Sequence, residues 1–166
     1  EGYTLVGVDY SQIELRLLAY FSGDKAMVEA FCHNLDIHRQ TALKLFGEEH
    51  ADAKRGVAKT INFGLLYGMG PKKLSDTLGI STKEAKSYIE SYFETFPTIK
   101  EYLSSIAEFA KKEGYVETLL GRRRYFGFEH ANGMQYAMYE REAINTVLQG
   151  RASDLIKLSM NKIMLK

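Results

Sequence analysis

Arg55-Gly56-Val57-Ala58-Lys59-Thr60-Ile61-Asn62-Phe63-Gly64-Leu65-Leu66-Tyr67 is the stretch on which the reading of this chain turns. It lies in a segment, Ala53 to Tyr67, whose apolar spacing predicts a helix stopped by Gly68-Met69-Gly70-Pro71. Arg55, Lys59, Phe63 and Tyr67 recur every four residues. Each step turns about 400°, so the stripe drifts only about 40° and stays on one side. At about 1.5 Å per residue, Arg55 lies about 6 Å from Lys59 and about 12 Å from Phe63. Two cations precede an aromatic ring and a phenol. A nucleoside triphosphate laid on such a face would set its phosphates on Arg55 and Lys59 and its base near Phe63. The competing reading, a solvated cation pair followed by core aromatics, stays open from the stripe alone. Asn62, Gly64 and Gly68 count against it, because glycines weaken a helix and permit close approach.

Towards the amino end, Leu5-Val6-Gly7-Val8 predicts a short buried strand ending at Asp9. Ser11 and Glu14 have capping-box spacing, so a helix is expected to begin there and run to Ser22-Gly23-Asp24. A carboxylate fixed where a strand enters a helix suits a hard cation, with a nearby backbone carbonyl as a second donor. Asp9 could equally cap the helix. Short helices are expected over Lys25–Phe31 and His38–Phe46, the second capped by Asp36. His38 could touch a phosphate or merely belong to that cap.

Towards the carboxyl end, Pro71–Leu78 and Ser81–Phe96 read as a helix pair across Gly79, and Thr98–Glu113 as a further helix. Tyr115–Leu119 and Arg124–Phe126 flank Gly121 as a β-hairpin carrying Arg122, Arg123 and Arg124. That basic cluster could follow a nucleic-acid backbone or be an exposed turn. From about Asn132 the chain reads as helix, with a break near Gly150. Arg141, Asn145, Gln149 and Arg151 are there, amides suited to base edges and arginines to phosphate. Side chains that merely face water explain them as well.

The 166 residues are 45% hydrophobic and 26% charged, which excludes a disordered tail and a collagen-like repeat. One cysteine, Cys32, cannot form an internal disulfide or a thiolate zinc cage, and fits a reducing compartment. No apolar run approaches the roughly 18 residues of a membrane span, so a soluble chain with no membrane partner is expected. No basic-then-apolar leader marks it for export. Residues 1–50 carry 4 Lys/Arg against 8 Asp/Glu, and residues 51–166 carry 18 against 13. An acidic opening before a basic body suits a metal site beside a polyanion site. Glu1 in place of Met, and the apolar periodicity of Leu155–Lys166, lead to the expectation of a piece of a longer protein.

Asp9-Tyr10-Ser11-Gln12-Ile13-Glu14-Leu15-Arg16 resembles the first palm motif of A-family DNA polymerases of the bacterial DNA polymerase I type. Arg55-x-x-x-Lys59-x-x-x-Phe63-x-x-x-Tyr67-Gly68 resembles their fingers-helix motif. Asp36-Ile37-His38-Arg39, the Gly-Arg-Arg-Arg hairpin and Ile144-Asn145-x-x-x-Gln149-Gly150 are similar to further family segments in the same order. The resemblance covers essentially the whole chain. It implies a predominantly helical α+β fold: fingers helices plus part of a palm with a small antiparallel sheet. The implied divisions are a palm segment at 1–24, fingers at 25–113, and a hairpin and returning helix at 114–166.

The resemblance also implies template-dependent deoxynucleotidyl transfer by a two-metal mechanism. Asp9 would ligand two Mg²⁺ ions, with the Tyr10 carbonyl as a further ligand. Arg55, Lys59 and His38 would hold the triphosphate, Lys59 would also protonate the departing pyrophosphate, and Gln12 would lie beside it. Phe63 would stack near base and sugar, Tyr67 would sit by the templating position, and Glu14 would exclude a 2′-hydroxyl. Arg141, Asn145 and Gln149 would contact primer and template. The implied partners are primer-template DNA, deoxynucleoside triphosphates and the rest of a polymerase chain, in the bacterial cytoplasm. The family's second metal-binding turn, His-Asp-Glu, is not in these residues, so the chain is expected to be inactive alone. Residues Phe126 to Met134 stray from the family's usual hairpin exit and take no role.

Two rivals remain. Single-subunit RNA polymerases share the Arg/Lys helix, but Phe63 and Glu14 argue against them. Alternatively, Leu74 to Ile89 looks like a helix-turn-helix, which would make this a DNA-binding module without catalysis.

Overall fold

The computed structural model describes residues 2–165. Eight α-helices and one two-stranded antiparallel sheet are found among them. The helices are α1 (Ile13–Ser22), α2 (Lys25–Cys32), α3 (Ile37–Phe46), α4 (Glu48–Leu66), α5 (Pro71–Leu78), α6 (Thr82–Thr95), α7 (Pro97–Glu113) and α8 (Gly133–Met164). The strands β1 (Tyr115–Glu117) and β2 (Arg123–Tyr125) pair with Val116 opposite Arg124. This is the expected mostly helical α+β fold.

Local chemistry sets most boundaries. Asp24 caps α2 by accepting from the Met27 amide at 2.9 Å. Asp36 caps α3 through the His38 and Arg39 amides at 2.9 and 3.0 Å. Ser81 caps α6 through the Glu84 amide. The Glu84 carboxylate accepts from the Tyr88 hydroxyl. Pro71 and Pro97 occupy the first turns of α5 and α7, where a missing N–H costs nothing. Asn132 and Gln135 form a reciprocal capping box at the start of α8, a signal the sequence reading did not use.

One core joins Leu15, Leu18, Met27, Ile37, Ile61, Leu66, Leu74, Tyr92, Ile99 and Leu148. In it α4 packs chiefly along α3, and both helices also touch α6. A second core, Ile106, Ala110, Val116, Phe126, Phe128, Ala143 and Val147, seats the hairpin on α7 and α8. Phe126 and Phe128, in the stretch given no role above, are anchors of this second core.

Three expectations are corrected. Residues 2–10 form no strand, and Tyr3, Leu5, Val6 and Val8 are exposed. A strand needs neighbours for its N–H and C=O groups, and β1 and β2 pair only with each other. The expected capping box at Ser11 is also absent: α1 starts after Gln12, in the left-handed region at φ 53°, with no side-chain cap. Finally, α8 runs unbroken past Gly150. There the hairpin crosses the helix so closely that a Cβ would collide with Thr118 Cγ2. Gly150 is a point of close approach within the helix, and a helix interior tolerates it for about 1 kcal/mol.

Candidate active site

The stripe on α4 is built as its spacing implies. Arg55 and Lys59 are exposed, while Phe63 and Tyr67 are half-buried. The rings of Phe63 and Tyr67 are stacked, 6.4 Å apart and inclined by 18°. The helix holds this register because its opposite side buries Ala58, Ile61, Leu65 and Leu66.

α3 packs along α4 and adds a second row. Asp36 serves both helices at once. One carboxylate oxygen caps α3, and the other accepts from Arg55 Nε at 2.6 Å. Those amides and the guanidinium outweigh the opposing effect of burial and hold the Asp36 carboxyl below the usual carboxylate range. Sequence reading found the cap but not the ion pair, because nothing local announces a contact across 19 residues.

His38 is 2% exposed, and its ring lies 5.6 Å from that of Phe63. The Asn62 amide donates to His38 Nδ1 at 3.1 Å and to the Thr41 hydroxyl at 3.0 Å. Burial lowers the pKa of the His38 imidazole; Asp36 opposes the shift, and Arg55 and Lys59 reinforce it. The ring is therefore neutral at pH 7. Asn62 is fully buried, so the polar residue that looked out of place in the stripe is the centre of a hydrogen-bonded set.

The far end of α4 meets α1 and α8. The Tyr67 hydroxyl donates to the Glu14 carboxylate. Desolvation, then that carboxylate, push the phenol up to about 12, with the Gln149 side chain alongside acting in the opposite direction. Gly68, at φ 67°, has no room for a side chain: a Cβ would lie 2.7 Å from Arg141 Cγ. Arg141 thus packs directly against the end of the stripe. Asn145 keeps a buried Oδ1 with no partner among the described residues. Glu14, Tyr67, Arg141 and Gln149, 135 positions apart at the extremes, meet at one corner.

Other residues are placed differently. Asp9 and Tyr10 lie in the segment before α1. Asp9 is exposed, and the Tyr10 hydroxyl bonds Ser159 Oγ at 2.6 Å. Among the described residues, no three His, Cys, Asp or Glu side chains gather as a metal-binding group. Asp9 with the Tyr10 carbonyl is an incomplete donor set for a two-metal centre. The three hairpin arginines do not act alike. Arg123 pairs with Glu117 at 2.8 Å and Arg124 with Glu142 at 2.6 Å. All three line an open cleft of about 490 Å³ with Thr118, Thr146, Gln149, Gly150 and Ser153. Arg151 faces inward: it lies 3.9 Å from the centre of the Phe21 ring and donates to the Tyr102 hydroxyl at 2.6 Å. It ties α1, α7 and α8 together and is not offered to phosphate. No helix among the described residues is long and apolar enough to cross a membrane.

Two cations, a neutral imidazole and an aromatic pair in line form a face suited to a polyanion ending in a flat ring. The family model for DNA polymerase family A matches residues 1–166. DNA polymerase I of Helicobacter pylori is 58% identical over 161 residues, covering 97% of this chain and 18% of that protein. DNA polymerase I of Deinococcus radiodurans is 49% identical over 164 residues, covering 96% of this chain and 17% of that protein. The chain thus spans less than a fifth of the length of these two relatives. A solved structure, the POL domain of Pol1 from M. smegmatis in complex with DNA primer-template and dNTP, superposes with a TM-score of 0.84. It is 39% identical, covering 92% of this chain and 28% of that one. On the whole-length match, this chain belongs to DNA polymerase family A.

Proposed function

We propose that this chain supplies the nucleotide-holding face of a DNA-directed DNA polymerase. Residues 25–113 act as fingers, residues 1–24 as the first palm segment, and residues 114–166 as the hairpin and helix that return to the palm. The observation that carries this reading is the α4 face, where Arg55, Lys59, Phe63 and Tyr67 stand in line beside His38.

The triphosphate of an incoming deoxynucleotide lies on Arg55 and Lys59, where fixed cations also meet the charge that develops on pyrophosphate. Lys59, a primary ammonium at that position, is the group suited to hand a proton to the leaving oxygen. Phe63 takes the sugar and base. Glu14, held by Tyr67, occupies the space a 2′-hydroxyl would need. Gln12 stands at the entry to α1, on the triphosphate side. Arg141, Asn145 and Gln149 contact primer and template at the corner beside Tyr67. Mg²⁺ would be held by Asp9 and the Tyr10 carbonyl only together with carboxylates from outside this donor set, so catalysis requires the rest of a polymerase chain. The setting that fits is the bacterial cytoplasm.

The test is titration of the chain with Mg²⁺ and a fluorescent deoxynucleoside triphosphate. Saturable binding is expected, weakened tenfold or more in Lys59→Ala, since a charge-assisted hydrogen bond contributes about 1.5–3 kcal/mol. Glu14→Ala should narrow the preference for dATP over ATP. No saturable binding, or an unchanged Lys59→Ala, overturns the proposal and favours a DNA-binding module built on α5 and α6. Template-dependent primer extension by residues 1–166 alone would contradict the incomplete metal site.

A further inference from the structure

We infer that Asn62 is a positioning residue that fixes the tautomer of His38, so that a neutral Nε2–H donor is presented on the face carrying Arg55 and Lys59. The inference rests on the proposed triphosphate site and adds to it a buried residue that touches no nucleotide.

The protons can be followed one by one. Thr41 has a single hydroxyl proton. Its shortest acceptor is the Ile37 carbonyl at 2.8 Å, against 3.3 Å to Asn62 Oδ1. Having donated there, the Thr41 oxygen receives one hydrogen of the Asn62 amide at 3.0 Å. The second amide hydrogen is left for His38 Nδ1 at 3.1 Å. A neutral imidazole that accepts at Nδ1 carries its proton at Nε2. Nε2 has no partner among the described residues and is not one of their buried, unpaired atoms, so it keeps access to solvent.

The surroundings keep the ring neutral. Three charged groups act on it: Asp36 from the cap of α3, and Arg55 and Lys59 from α4. A second proton would be opposed by burial and by both cations, with Asp36 alone in its favour. An uncharged donor adds a hydrogen bond to a phosphate oxygen without adding to that crowding. Asn62 and Thr41 are both 0% exposed, so the set is built into the α3–α4 interface and does not depend on the surface.

The experiment is ¹⁵N-resolved NMR of the His38 ring in this chain at pH 8, with and without Mg²⁺ and dATP. The expected result is a protonated Nε2 and an unprotonated Nδ1. In Asn62→Asp the new carboxylate accepts from Nδ1, so the proton is expected to move there and dATP to bind about tenfold more weakly. Thr41→Val, close in shape, removes the acceptor that orients the amide and should give a mixture of tautomers. A protonated Nδ1 in the parent chain overturns the inference whatever the nucleotide does, and needs no variant to fold. An unchanged ring in both variants also overturns it. An Nε2–H ring that dATP leaves unperturbed upholds the role of Asn62 and overturns the triphosphate reading instead.

Discussion

The α3–α4 pair and the segment before α1 both carry residues assigned to one reaction, yet the structure treats them in opposite ways. On α3 and α4 three candidate side chains stand beside an identified neighbour: Asp36 for Arg55, Asn62 for His38, Glu14 for Tyr67. In residues 2–10, Asp9 lies on exposed backbone that belongs to no element. A helix satisfies its own backbone and needs only one apolar face to dock. A strand is completed by partners elsewhere. Chemistry placed on helices is therefore organised by neighbours on other helices, whereas Asp9, the proposed metal ligand, stands on backbone that pairs with no element among the described residues.

Substitutions at five positions sharpen the contrast. The largest effect is expected from Ile61→Ala, which hollows the fully buried side of α4. It should cost about 2–5 kcal/mol in urea unfolding and loosen the stripe. A loss under 1 kcal/mol would mean that α4 is not the anchored element described. Next comes Gly150→Ala, which drives a methyl into Thr118 Cγ2 and should cost about 1–3 kcal/mol. Thr118→Ser removes the offending methyl, so the double variant should recover most of that loss, a non-additivity readable from a double-mutant cycle. Asp36→Ala loses the cap of α3 and the Arg55 pair, for about 1–2 kcal/mol, while Asp36→Asn keeps the cap and should lose less than half as much. At the other extreme, Leu5→Ser in the exposed segment should change stability by no more than about 0.5 kcal/mol. A loss above 1 kcal/mol there would show that residues 2–10 are packed after all.

Acid should act on the same pair of helices. The folded pKa of His38 lies below its unfolded value, so the unfolded chain binds the proton more readily. Stability is then complete above the ordinary histidine value of about 6.5 and falls as pH drops through that value towards the lower folded one. Asp36 adds a second loss at more acidic pH, because its carboxyl must be protonated against Arg55 and the cap. A His38→Gln chain should lack the first of these two losses in a series of unfolding curves.

How much of this was legible in the residues follows the same division. Helices α2, α3, α5, α6 and α7 were legible from local signals such as Asp36 at a cap and Gly79 between α5 and α6, whereas α4, expected from Ala53, begins five residues earlier at Glu48. The stripe of α4 was legible because a four-residue spacing maps directly onto a face. Three misreadings share one cause. The strand at Leu5–Val8, the break at Gly150 and an outward Arg151 were each inferred from neighbours in sequence. Each is decided by contacts from elsewhere: a missing partner strand, the hairpin crossing at Thr118, and the Phe21 ring with the Tyr102 hydroxyl. The Asn62 set and the Asp36–Arg55 pair were invisible for the same reason.

The central claim is that a nucleotide lies along α4 with its phosphates at Arg55 and its base towards Tyr67. Amide and side-chain NMR shifts on adding Mg²⁺ and dATP to the chain test it most directly. The account predicts perturbations in one line through His38, Arg55, Lys59, Phe63 and Tyr67, with α5 and α6 unmoved. Shifts confined to α5 and α6, or to the arginine hairpin, would contradict it.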